Sequence, residues 1–358
     1  MVHRRGYQVG TRISGILLSA ALTLSPGSAT LASNGDAHDD GVLSVPAELV
    51  CALRLPGMDD HIRRPSALFV DHAHGEVFVG DSGMNRLLIF DRAGAYRYEF
   101  DFTDQVGSVL DLGVDSDGFV YVLGTSREGP RVLRYDFDGI YLSDLPLDAV
   151  DPWQIESMTV TGDDHIVLID RLGICVVLDR AGTVVSRFDT AVDLGNSDLP
   201  TVIRGKPRVH DGRLYLPAAS LGHVLVFDVA TGEALPSIGF KGNTPGQFGF
   251  PVAVDVLPSG VIVVLDKMRF NILCFSPSGR FLGEFGGKGF RDGWMYHPTL
   301  MAAVREDQVI VGQIMDQRVQ VLQVPEFVFE RLPRELDTDD GSVDVDGDGS
   351  SGPDPRSP

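Results

Sequence analysis

Cysteine, tryptophan and positive charge are all scarce in this chain. Among 358 residues there are three Cys and two Trp, and 30 Lys and Arg stand against 50 Asp and Glu, giving a net charge of −20. A nucleic-acid partner is therefore excluded, because tracking phosphates needs a basic face. Cys51, Cys175 and Cys274 are odd in number and widely spaced, with no CxxC or Cys/His cluster, so neither a disulfide framework nor a thiolate metal site is encoded. Each lies in an apolar run and reads as a buried thiol. The chain also has no P-loop and no G-x-S-x-G elbow.

Long apolar runs are missing as well. The longest candidate, Ile13–Leu24, falls short of the ~20 residues that cross a bilayer. It follows Arg4, Arg5 and Arg12 and precedes Pro26, Gly27 and small residues, the basic, apolar, small order of a secretory signal peptide. Cleavage after Ala29 or Ala32 is expected, leaving a mature chain without a transmembrane segment that is secreted, periplasmic or at the cell surface. At the other end, residues 335–358 hold eight acids and one Arg, the composition of a disordered acidic tail. Asp344, Asp346 and Asp348 have the D-x-D-x-D-G spacing that opens a calcium loop. Pro355 occupies the place of the bidentate Glu, so a solvated charge run is the first reading and weak calcium binding the second.

What is abundant is turn chemistry. The 41 Gly recur at intervals, and between Arg64 and Glu326 one pattern repeats. An apolar strand, a tight Gly turn, a second strand, a polar loop, a third strand, another Gly turn and a fourth strand follow one another with period-two alternation. The third strands end at Phe90, Tyr135, Leu178, Phe227, Phe275 and Leu322, at intervals of 45, 43, 49, 48 and 47 residues. The turns that follow the first four place Asp early and Gly late, as at Asp91 to Gly94 and Asp179 to Gly182. The sixth unit supplies only three strands, and a spare strand, Glu48–Leu55, precedes the first. Pairing the two closes a ring and removes exposed sheet edges. The expectation is an all-β, monomeric six-bladed β-propeller over residues 45–326, after a signal peptide (1–32) and a lead-in (33–44) and before an extension (327–358).

The repeat letters resemble the NHL-repeat propellers. Blade one carries Pro65, Val70-Asp71, Gly75, Asp81, Asn85-Arg86, Ile89-Phe90 and Gly94. Blade five carries Pro245-Gly246-Gln247-Phe248-Gly249-Phe250-Pro251, similar to that family's blade junction, followed by Asp266, Phe275 and Gly279. The resemblance implies a fold and leaves activity open, since function lives in sites grafted on a fold.

In such a ring the second-to-third-strand loops and the connections between blades share one face, the usual place for ligands. That face is expected to hold Arg204, Lys206, Lys267, Arg269 and Arg291, with Trp153 and Trp294 for stacking. Clustered cations suit a small anion, a peptide or an acidic glycan. The alternative is that these cations pair with nearby Asp. Asp81, Asp170 and Asp266 recur at one repeat position and are expected to satisfy loop amides, because a catalytic site is a single place. Three histidines from neighbouring blades can hold zinc. His61 and His297 fall in adjacent connections, with His223 the only third candidate, and a resemblance to the zinc-using peptide-amidating lyase would need all three. A lactonase-like calcium site would need carboxylates such as Asp111 and Asp255 to converge in the channel. The sequence thus favours a binding scaffold with no cofactor, and keeps a zinc- or calcium-dependent lyase or hydrolase as the alternative.

Overall fold

The computed structural model describes residues 44–57, 60–102, 105–147, 150–151, 154–190 and 202–332. Two short strands open it, β1 (Ser44–Val45) and β2 (Glu48–Ala52). Five meanders of four antiparallel strands follow. They are β3–β6 (Pro65–Asp71, Glu76–Asp81, Arg86–Asp91, Tyr96–Asp101) and β7–β10 (Ser108–Val114, Val120–Ser126, Gly129–Tyr135, Tyr141–Asp144). Next come β11–β14 (Ile155–Val160, Ile166–Asp170, Ile174–Leu178, Val184–Asp189) and β15–β18 (Arg208–His210, Arg213–Ala218, His223–Asp228, Ala234–Ile238). Blade five is β19–β22 (Pro251–Val256, Ile262–Asp266, Asn271–Phe275, Phe281–Gly286). The sixth has β23–β25 (Pro298–Arg305, Gln308–Gln313, Arg318–Gln323), and a helical turn, α1 (Glu326–Glu330), follows.

The ring closes as the repeat count predicts. β2 pairs antiparallel with β25, Glu48 opposite Gln323 and Ala52 opposite Gln320, so the N-terminal strand completes blade six. One pairing was not visible in the sequence: β1 runs parallel to β22, with Ser44 opposite Glu284 and Val45 opposite Phe285, adding a fifth strand to blade five. Two residues of pairing carry no periodicity to detect.

The turn letters act as expected. The Asp91 carboxylate accepts from the amides of Ala93 and Ala95 at 2.9 Å each, and Asp115, Asp136 and Asp179 repeat this two-amide pattern. These donors hold the Asp91 carboxyl below its ordinary range, the Ala95 amide most of all. Between the blades lie apolar layers, such as Val79, Leu88 and Phe90 of blade one against Ala302, Ile310 and Val321 of blade six. Blades two and three approach so closely that a Cβ on Gly113 would stand 2.4 Å from Val160 Cγ2, which leaves room only for glycine.

Asp81 and Asp266 do the structural job assigned to them. Asp266, fully buried, accepts from the amides of Gly249, Phe250, Met268 and Arg269, binding the connection before blade five to the loop inside it. Asp81 accepts in the same way from Arg63, Arg64 and Gly83, while Asp170 accepts from Ile174. Gln313 takes this place in blade six, its Oε1 accepting from the Tyr296 amide at 2.5 Å.

Two outcomes are expected from this frame. Asp266→Ala empties a buried carboxylate site that satisfies four backbone amides and should lower unfolding free energy in urea by about 3 kcal/mol, against about 1 for Asp91→Ala at an exposed turn; equal losses would refute the distinction. All three cysteines are free, with Cys175 and Cys274 buried and Cys51 partly so, and burial pushes the Cys175 thiol up to about 12. Native protein should therefore alkylate slowly at Cys51 alone, and denatured protein should take three labels.

Candidate functional site

The loops between second and third strands and the connections between blades share one pole of the ring, called here the loop face. The expected cations reach it, and several are already engaged. Arg204 Nη1 donates to the carbonyls of Arg171 and Val202 at 3.1 Å, and burial pushes its pKa down. Arg269 donates to Gln247 O at 2.7 Å and pairs with the buried Glu284 at 2.6 Å. Lys267 is half-buried and Arg291 exposed, beside the partly exposed Trp294. Trp153, and the tail carboxylates Asp344, Asp346 and Asp348, lie outside the described residues.

Lys206 does not face solvent with the others. It lies two residues before Arg208, and alternate residues of a strand share a side, so both side chains point into the central channel. Lys206 Nζ donates to Asp111 Oδ2 at 3.0 Å and to Leu110 O at 2.7 Å, reaching from blade four to blade two. Arg208 Nε donates to Asp255 Oδ1 at 3.0 Å, with its guanidinium 5.1 Å from the Phe69 ring centroid. Each aspartate also holds the next blade: Asp111 accepts from the Met158 amide at 3.2 Å and Asp255 from the Ala303 amide at 2.8 Å. The two ion pairs plug the channel, leaving a void of about 30 Å³.

The large cavity lies at the opposite pole, the turn face, where tight turns join first to second strands. It measures about 810 Å³ and takes in the channel mouth from blade one to blade five. Its walls are apolar, Val70, Val114, Val160, Val177, Val209 and Val256 among them. Seven aspartates line it, Asp163, Asp164, Asp211 and Asp228 towards solvent and the buried Asp71, Asp115 and Asp255 further in, and Arg208, paired with Asp255, is its one Lys or Arg. Arg180, behind the rim, binds Asp164 at 2.5 Å and also Asp117. Three histidines, His72, His165 and His210, line the same cavity. The protein packed around the His72 ring, and then the Arg208 charge, push its pKa below the ordinary imidazole value. His165 pairs with Asp163 at 3.0 Å. The repeat pattern places these residues on turns, and turns pointed away from the expected ligand face; the clue was that inner strands end in Val-Asp, Val-Thr-Gly-Asp-Asp and Val-His-Asp.

The metal candidates stay apart. His223 Nδ1 stands 2.9 Å from Gly239 O, His61 is exposed, and His297 packs edge-on against Tyr296 at 4.6 Å between ring centroids. Among the described residues no group of three His, Cys, Asp or Glu side chains is arranged to hold a metal ion.

Removing Lys206 alone leaves the Asp111 carboxylate uncompensated in the channel. Lys206→Met should cost about 2 kcal/mol by urea unfolding, whereas Lys206→Met with Asp111→Asn should recover most of it; additive losses would mean that the pair is not coupled.

No protein-family model matches the chain, and no curated protein does. Among solved structures it is similar to a streptogramin B lyase at 15% identity, over 78% of this chain and 88% of that one, with a TM-score of 0.52. It is similar to a catalytically inactive virginiamycin B lyase from Staphylococcus aureus with quinupristin at 14% identity, over 78% and 100% of the chains, with a TM-score of 0.53. A structural genomics protein of unknown function from Bacteroides thetaiotaomicron aligns at 10% identity over 79% and 75% of the chains, with a TM-score of 0.58. Identities this low speak to the fold, and the fold is a six-bladed β-propeller.

Proposed function

We propose that this protein is an exported, NHL-repeat-like binding propeller, and that its ligand site is the turn-face cavity. The observation that carries this reading is the cavity itself, about 810 Å³, with valine-rich walls and seven aspartates against one Arg in its lining. That volume is within the range of about 300–1,000 Å³ typical of ligand pockets. An apolar chamber under a negative rim selects an amphipathic ligand with a positive group, such as a basic peptide, and disfavours an anion. A small anion or acidic glycan would be left to the loop face, where Lys267 and Arg291 carry no partner of the kind that occupies Lys206 and Arg269. The second reading, a metal-dependent lyase or hydrolase at the channel mouth, has the fold shared with the streptogramin lyases in its favour and no constellation of residues on this chain.

The test is titration calorimetry with two short amphipathic peptides that differ only in Lys against Glu. The basic peptide should bind, Asp163→Asn with Asp211→Asn should weaken it about fivefold at unchanged Tm, and Lys267→Ala with Arg291→Ala should leave it as it was. Affinity should fall on acidification below the ordinary imidazole range, since protonating His72, held below its ordinary value by burial and then by Arg208, adds a positive charge to the cavity. Preference for the acidic peptide, lost with Lys267 and Arg291, would overturn the assignment. Stoichiometric zinc or calcium in protein purified without chelator would revive the enzyme reading.

A further inference from the structure

Arg208 stands at the inner end of the turn-face cavity with most of its hydrogen-bonding capacity unspent. A guanidinium carries five N–H donors in a plane. The Nε donor is used on Asp255 Oδ1 at 3.0 Å, and among the described residues neither Nη1 nor Nη2 has an acceptor. With 15% of the side chain exposed, both terminal nitrogens still reach solvent. Other arginines of similar burial are fully engaged. Arg86, 5% exposed, gives its terminal nitrogens to Asp60, Glu99 and the His61 carbonyl, and Arg269, at 13%, gives them to Gln247 O and Glu284.

Two neighbours fix the side on which this fork opens. Asp255, its partner, and His72, on which its charge acts, both line the large cavity and not the small void in the plugged channel. The guanidinium lies 5.1 Å from the Phe69 ring centroid, so the ring and the Asp255 bond hold its plane between them. Asp255 does not absorb the whole charge of Arg208. Its oxygens also accept from the amides of Val256 and Ala303 at 2.8 Å each, donors that stabilise a carboxylate by themselves.

Geometry and charge together set what fits. Two N–H donors on one planar edge match the two oxygens of a carboxylate, and such bidentate pairs are stronger and more directional than a single hydrogen bond. A bare anion is disfavoured by the seven aspartates of the lining, so the carboxylate must belong to a molecule that brings its own cation. The span between is apolar, with Val70, Val160, Val209 and Val256 in its walls. We infer that the ligand is a zwitterion, a short apolar peptide that enters carboxylate first, with its free C-terminus on Arg208 Nη1 and Nη2 and its cation among Asp163, Asp211 and Asp228 at the mouth. This rests on the cavity being the ligand site and adds the group that is read at its inner end.

The experiment is titration calorimetry with one amphipathic peptide, Lys at its N-terminal end, made as the free acid and as the C-terminal amide. The acid is expected to bind at least tenfold more tightly. In Arg208→Lys, which keeps a charge beside Asp255 and removes the fork, that advantage should fall to threefold or less at unchanged Tm. The comparison of the two peptides on the unaltered protein needs no variant, so it decides even where Arg208→Lys unfolds. Below the ordinary imidazole range the amide should lose more affinity than the acid, because the His72 charge, set among Asp71, Arg92, Arg208 and Asp255, then stands beside the acid's carboxylate. Equal binding of the two forms, an advantage that survives Arg208→Lys, or the opposite order on acidification would overturn the inference and leave the cavity reading in place. Binding of neither form would overturn the cavity reading and the inference with it.

Discussion

Two carboxylates inside the channel tie the ring together. A propeller has no central core, so its inner strands meet around a hole, and polar side chains there lose water unless they find one another. Asp111 and Asp255 settle this in the same way. Each accepts an amide from the first strand of the following blade, Met158 for one and Ala303 for the other, and each takes a cation from blade four. Blade four is the one with the shortest inner strand, Arg208–His210, and the segment leading to it is where Lys206 crosses to blade two. The blade with least backbone pairing at the axis thus contributes both charged side chains that hold it there.

The two poles of the ring differ in the segments that build them, tight turns at one and longer loops and connections at the other. Asp-x-x-Gly turns need carboxylates, so the pole built from tight turns is acidic for structural reasons, as Asp91, Asp115, Asp136 and Asp179 show. The opposite pole turns Asp81 and Asp266 inward onto backbone amides and pairs Arg86, Arg131, Arg269 and Arg318 with carboxylates of its own. A cavity lined by such turns therefore inherits their carboxylates.

The architecture was legible because it is written six times. The third-strand ends, the Asp and Gly turn letters and the spare strand at Glu48 gave blade count and closure without any coordinate. The buried role of Asp266 was legible for the same reason, since repetition around a ring marks a structural task. What stood once in the chain was harder to read. Lys206 and Arg269 carry the same letters as a ligand-binding cation, and only the fold shows that their partners, Asp111 and Glu284, lie 95 and 15 residues away. The cavity was hidden by a rule that assigned ligands to the other pole; its lining comes from five blades, each giving between three and nine residues, most of which read locally as an ordinary turn.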